Sequence, residues 1–199
     1  MNRKILSAII LIVIVLVVLF VWILASQSQQ PEQINLFFDF ENGLDDWAFD
    51  SQVPNDPVTG EPVAWEIKPV FDLSFSGNSS VLFNIDGTQD DGTIWIERKL
   101  SLQPGTTKAV NVTFQLWSSS ESFNTLAVVV SYAGQKNPEE EIDFQVLDNT
   151  NQVSGWKEYS FSSKVKADNT GEIYVALGIS VRWETNLTYY IDAVSLKLL

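Results

Sequence analysis

The sequence predicts an all-β chain, an antiparallel β-sandwich of jelly-roll type, preceded by a single N-terminal transmembrane helix. Three observations predict it. An apolar run fills Ile5 to Leu24, interrupted only by Ser7 and Ala8. From Leu36 onward apolar and polar residues alternate with period two, rich in β-branched and aromatic side chains. Turn pairs such as Gly77-Asn78, Asp91-Gly92, Pro104-Gly105, Ala133-Gly134, Ser154-Gly155 and Thr170-Gly171 punctuate that alternation at regular spacing.

The apolar run decides the expected topology. At about 1.5 Å per residue it spans roughly 30 Å, the thickness of a bilayer core. Trp22 stands near one end, where an amphipathic ring suits the interface, and Arg3 and Lys4 precede the run, so the positive-inside rule exports the rest. The run is longer than a signal-peptide core, and Ile23-Leu24-Ala25 is a poor small-x-small cleavage site. The expected division is a cytoplasmic stub 1–4, an anchor 5–25, a linker 26–34 (polar, with Pro31) and an extracytoplasmic sandwich 35–199. The expected location is the cell membrane, single-pass, with the C-terminal domain outside.

Composition then excludes function classes. Two of the 12 basic residues precede the anchor, leaving 10 against 25 acidic, a net charge of −15 on the exported part. Nucleic acid is not an expected partner for such a surface. There is no cysteine, so no disulfide framework, and no histidine, so no Ser-His-Asp triad, Cys-His dyad or histidine-bound zinc. Any metal would be bound by oxygen, calcium or magnesium first.

The alternation predicts strands at Leu36–Phe40, Ala64–Phe71, Ser80–Ile85, Thr93–Leu100, Ala109–Ser118, Thr125–Tyr132, Ile142–Leu147, Trp156–Ser162, Ile173–Trp183 and Thr188–Leu198. It also sets faces. Val110, Val112, Phe114 and Leu116 share one, with Asn111, Thr113, Gln115 and Trp117 opposite. Ile173, Val175, Leu177, Ile179 and Val181 share another, with Tyr174, Ala176, Gly178, Ser180 and Arg182 opposite. The segment Asp50 to Glu61 reads as a long polar loop, and Asp86 to Gly92 as a hairpin turn. The latter has calcium-loop composition, but Asp91 stands where an EF-hand loop needs glycine.

Four blocks carry a resemblance. FDFENGLDDW (Phe38–Trp47), SGNSSVLFNID (Ser76–Asp86), GWKEYSF (Gly155–Phe161) and YYIDAVSLKL (Tyr189–Leu198) resemble, in order, the opening strand and turn, the glycine turn with its strand, the late strand and the closing strand of jelly-roll carbohydrate-binding modules. The likeness is to the galactose-binding-like superfamily. It implies a structural calcium where first strand, glycine turn and last strand meet, with Glu41, Asn78 and Asp192 at the matching positions. It also implies that Trp47 and Trp156 pack in the core.

Sugar recognition needs flat aromatic faces beside polar groups. The candidate ligand residues are Trp95, Trp117, Tyr132, Arg182 and Trp183, outward by alternation or at strand ends. Each has a plainer reading as core filling or edge capping. Some jelly rolls hydrolyse β-glucans with a Glu-x-Asp-x-x-Glu strand. Glu141-Ile142-Asp143 begins that pattern, but Val146 replaces the second glutamate, so no catalysis is expected. Sequons at Asn78, Asn111 and Asn186 offer glycosylation sites, and a glycan on Asn78 would compete with its use as a calcium ligand. Two readings of function stand: a membrane-anchored carbohydrate-binding domain whose partner is a polysaccharide or glycan, or a jelly roll serving as an accessory subunit whose partner is a membrane-complex or envelope protein.

Overall fold

The computed structural model describes residues 11–22, 33–89 and 91–199. It divides into two units, 1–33 and Ile34–Leu199. In the first, residues 11–22 are helical with exposed side chains. That stretch rises only about 18 Å, and among the described residues no helix is long and apolar enough to cross a membrane. The two ends of the expected anchor, 5–10 and 23–25, lie outside the described residues, as do most of the linker and the stub.

The second unit is an antiparallel two-sheet sandwich. Its strands are β1 (Ile34–Phe38), β2 (Ala48–Gln52), β3 (Trp65–Val70), β4 (Ser80–Ile85), β5 (Thr93–Ser101), β6 (Thr107–Ser118), β7 (Ala127–Gly134), β8 (Gln145–Asn149), β9 (Gly155–Lys166), β10 (Glu172–Val181) and β11 (Leu187–Leu198). One sheet is six-stranded, in the order β3-β4-β11-β6-β9 with β1 beside β11; the other is five-stranded, β2-β5-β10-β7-β8. Alternation fixes which side of each strand is buried. Val110, Val112, Phe114 and Leu116 of β6 and Ile173, Val175, Leu177, Ile179 and Val181 of β10 all meet in the shared core, as their period predicts. Trp47 joins it, edge-on to Phe38 at 5.5 Å.

Three expectations need correction. Ala48–Gln52 is a strand, β2, pairing Ala48↔Glu97 through Gln52↔Thr93, so part of the expected loop 50–61 belongs to a sheet. The expected strand 142–147 begins as a 3-10 turn, Glu141–Asp143, closed by reciprocal bonds between Glu140 and Asp143, and β8 starts only at Gln145. Segment 86–92 is not a hairpin, because β4 and β5 lie in different sheets and it crosses between them.

β11 holds the six-stranded sheet together by pairing on one side with two strands in turn. Its upper part pairs β4 from Leu187↔Ile85 to Ile191↔Val81, and its lower part pairs β1 from Val194↔Phe38 to Leu198↔Ile34. The register against β6 shifts between Asp192 and Ser195, a bulge in which Ala193 takes φ 51°. At the end where β11 begins, a buried polar network fixes the turn after β8. The Thr150 hydroxyl donates to the Ala127 carbonyl and lies 2.8 Å from Tyr189 Oη; Tyr189 Oη donates to Asn151 Oδ1 at 2.5 Å, and Asn151 Nδ2 donates to Ser118 Oγ at 2.7 Å. Buried groups in such a network each need their partner. Tyr189→Phe, which keeps the ring and deletes the hydroxyl, is expected to lower unfolding free energy by about 1–2 kcal/mol in urea denaturation.

Candidate functional site

The loop between β3 and β4 is held from below by two carboxylates. Glu41 Oε1 accepts from the N–H groups of Asn78 (2.6 Å) and Ser79 (2.8 Å). Asp192 Oδ2 accepts from Phe75 (2.7 Å) and Ser76 (2.8 Å), and its Oδ1 from Ala193 (2.5 Å). Gly77 makes the approach possible: it sits at φ +62°, and a Cβ there would come within 2.4 Å of Glu41 Oε1. Asp192 is fully buried. Burial pushes its carboxyl up, the N–H bonds from Ser76, Ala193 and Phe75 draw it back, and nearby Asp39 adds to the rise, leaving it above the ordinary aspartate value.

These are the residues that the family resemblance marks for calcium, and they do converge on one loop. Calcium takes six to eight oxygen ligands. Here the groups bonded to the two carboxylates are backbone N–H donors. Asn78 contributes its N–H, while its side chain is exposed. Among the described residues no three acidic side chains stand close enough to hold a metal. In this arrangement the donor set does not fit a calcium ion, and the backbone supplies the counter-charge instead. Two measurements check this. Thermal unfolding should shift by less than a degree with millimolar calcium or excess chelator. Asp192→Ala should cost about 2–4 kcal/mol by stranding buried N–H groups, with Asp192→Asn costing less because its carbonyl still accepts.

The aromatic candidates fall into three places. Trp117 points outward from β6, half-buried, edge-on to Tyr190 of β11 at 5.4 Å. Directly across from it on β9 is Trp156 (pair Trp117↔Trp156), which carries Phe75 of the β3–β4 loop at 5.7 Å. Trp156 is therefore not a core residue, contrary to the expectation from resemblance. Its period against buried Tyr159 and Phe161 puts it outward. Phe75, Trp156, Trp117 and Tyr190 form a half-exposed aromatic strip across β9, β6 and β11. Gln115 and Glu158 stand beside it, 3.4 Å apart.

Trp95, Tyr132 and Arg182 converge on the outer face of the five-stranded sheet. Trp95 faces outward as predicted but has no exposed surface. Its Nε1 donates to Glu97 at 2.9 Å, and Phe144 packs on its ring at 5.1 Å. Tyr132 Oη donates to the Lys136 carbonyl, and burial raises its hydroxyl. Arg182 pairs with Glu141 at 2.5 Å. Burial works to raise Glu141, and the Arg182 and Ser180 bonds outweigh it, so this carboxyl sits below its ordinary value. Glu141 and Asp143 thus belong to a turn over the sheet rather than to a hydrolase strand. Trp183 follows Arg182 on the loop after β10 and is 55% exposed. An open row through Trp95, Trp117 and Trp183 is therefore not what the fold builds.

Of the sequons, Asn78 and Asn186 are exposed. Asn186 Oδ1 accepts from Asn84 at 3.1 Å, and Asn111 is half-buried between β9 and β11. Two open depressions flank the sandwich. One, of ≈ 560 Å³, lies along Gln52, Glu140, Glu141, Ile142 and Phe144. The other, of ≈ 590 Å³, is polar and lined by Asp39, Asn42, Asp45, Asp46 and Arg98 with Phe37 and Phe38. In the latter Arg98 is already engaged, by Asp46 at 3.6 Å, by the Asp45 carbonyl and by the Phe38 ring at 4.6 Å.

No family profile and no curated protein matches the chain. Solved structures do share its fold. One concerns promiscuous specificity among carbohydrate-binding modules of the β-sandwich superfamily, 17% identical over 79% of this chain and 59% of that one, with a TM-score of 0.52. Another is the enzymatically active domain of tailspike protein 4 of bacteriophage CBA120, 10% identical over 81% and 20%, TM-score 0.50. The chain thus spans 59% of the first and a fifth of the second. At these identities the likeness is one of fold: the jelly-roll architecture of carbohydrate-binding modules, as the four sequence blocks imply.

Proposed function

We propose that this chain is a membrane-tethered, non-catalytic carbohydrate-binding domain. The observation that carries the proposal is the strip Phe75, Trp156, Trp117 and Tyr190, half-exposed on a rigid sheet with amide and carboxylate groups beside it. Aromatic faces supply stacking area for sugar rings, and Gln115 and Glu158 supply hydrogen bonds for hydroxyls. The domain's net charge of −14 (10 basic against 24 acidic residues over 34–199) favours an uncharged polysaccharide. The tether is the apolar run 5–25, whose described part, 11–22, is helical and fully apolar. Absence of histidine and cysteine leaves carboxylates, tyrosine or lysine as the candidate catalysts. Glu141, which the hydrolase pattern would use, is committed to Arg182.

A second reading rests on a separate observation. Phe123 and Trp183 stand exposed (105% and 55%) on neighbouring loops joined by the Arg182 N–H to the Leu126 carbonyl. They lie at the end of the sandwich opposite Ile34, where the chain enters. Exposed apolar loop tips suit a protein partner, as an accessory subunit of a membrane or envelope complex would require.

Affinity electrophoresis of residues 34–199 through gels of β-glucan, xylan and galactan separates the two. Retention on a neutral polysaccharide, weakened about tenfold (~1.4 kcal/mol) by Trp117→Ala and unchanged by Trp183→Ala, is the expected result. No retention on any gel, with a co-purifying protein lost on Phe123→Ala, would favour the second reading. For the tether, the full chain should stay with membranes through alkaline carbonate extraction, while residues 34–199 remain in solution.

A further inference from the structure

β7 and β8 are neighbours in the five-stranded sheet. A hairpin between neighbours closes with about two to five residues. Here residues 135–144 leave β7 and cross over β10 and β5. They reach β2 at the far edge, where the Glu141 N–H donates to Gln52 Oε1 at 2.6 Å, and then return to begin β8. The detour covers the sheet's outer face. Thr93, Trp95, Ala176 and Ser180 all point away from the core, yet none has exposed surface. Gly178 lies opposite Trp95, and a Cβ there would stand 2.7 Å from that of the tryptophan.

What the strap places on this face is specific. The Phe144 ring packs against Trp95 (5.1 Å) and Tyr132 (6.1 Å). Three residues earlier, the Glu141 carboxylate meets Arg182, whose side chain is one-third exposed. One flat ring on an aromatic pair and one carboxylate on a sheltered guanidinium are what a bound ligand would present. The strap's grip is small beside that of the sheet beneath it: one ion pair, two ring contacts and a few hydrogen bonds. Ile142 at its tip is 86% exposed. Segments held this way open at lower free energy than core strands.

We propose that the outer face of the five-stranded sheet is a second carbohydrate site, for a sugar ring that bears a carboxylate, and that the strap 135–144 occupies it as a displaceable internal ligand. This rests on the carbohydrate-binding reading above but concerns the opposite sheet. The ring follows from Phe144 on Trp95 and Tyr132. The carboxylate follows from Arg182: whatever removes Glu141 must return an anion to a guanidinium that is two-thirds buried, or leave it unpaired. The acidic surface restricts the ligand to short oligomers, for which long-range repulsion is screened within about 8 Å at physiological salt.

The test compares residues 34–199 with the double variant Glu141→Ala/Phe144→Ala, which removes the strap's carboxylate and ring and alters no residue of β7 or β8, using calorimetric titration with trigalacturonic acid and with cellotriose. The variant is expected to bind trigalacturonic acid at least tenfold more tightly than the native domain, to lose that gain when Arg182→Gln is added, and to show no gain for cellotriose. A folded double variant with no gain, or with equal gain for the neutral sugar, overturns the proposal. Hydrogen exchange on the native domain is the second arm and does not depend on the variant folding. Amides of 139–144 should exchange at least tenfold faster than those of β5 and β10, and exchange of both only together overturns a displaceable strap. Trp117→Ala, placed in the double variant, should leave trigalacturonic acid binding intact. Loss of neutral-polysaccharide retention therefore reads the six-stranded sheet alone.

Discussion

A single buried carboxylate stands at the joint of this sandwich. β11 is flanked on one side by β4 as far as Ile191 and by β1 from Val194 onward, so Asp192 and Ala193 fall in the gap between two partners. A gap in a ladder leaves backbone groups without sheet partners. The chain fills it by bulging at Ala193 and by turning Asp192 toward the β3–β4 loop, whose N–H groups it accepts. Glu41, just past β1, accepts from the far end of the same loop. First strand, last strand and loop are thereby fixed together by bonds from backbone N–H groups to two carboxylates. Because that loop carries Phe75 onto Trp156, the aromatic strip inherits its position from the same carboxylate.

Both sheets are dressed on the outside by their own connections, and this explains where the many aromatic residues go. The β3–β4 loop leaves part of the six-stranded sheet open, so Trp117, Trp156 and Tyr190 stay half-exposed. The strap over the five-stranded sheet leaves its centre closed, so Trp95 is buried although it faces away from the core. The two faces of one fold thus differ in availability through loop length and path rather than through the strands themselves.

How much of this could be read beforehand depended on whether the signal was local. Facing in β6 and β10 was legible because side chains alternate strictly and one side is wholly aliphatic. β2 was not: Ala-Phe-Asp-Ser-Gln has no apolar alternation, and as an edge strand its ladder runs along β5 on one side. The 3-10 turn at Glu141–Asp143 was hidden by the apolar residues Ile142, Phe144 and Val146, which mimic a strand. Trp156 is the instructive case. Plain alternation with Tyr159 and Phe161 places it outward, and the family likeness suggested the core; the local period was the better guide. That Trp95 and Arg182 would share the outer face was foreshadowed by their parity, while Tyr132 was marked only by its place at a strand end. That a strap would cross over them was not, since nothing in the sequence between Gly134 and Gln145 records which strand it will touch.

The pairing of β1 has a mechanical side. Chain entry is at Ile34, which is matched with Leu198, and β1 runs from there alongside β11 to Phe38↔Val194. If residue 33 is pulled while the far loops are held, the load runs along the strand axis. All rungs between β1 and β11 then share the force at once, instead of opening one after another as they would if the strand were peeled sideways. Strands loaded in shear resist more force than strands unzipped, and Phe38, buried at the inner end of β1, adds side-chain packing to that resistance. Tension applied at Ile34 along the strand axis thus meets the strongest direction of β1.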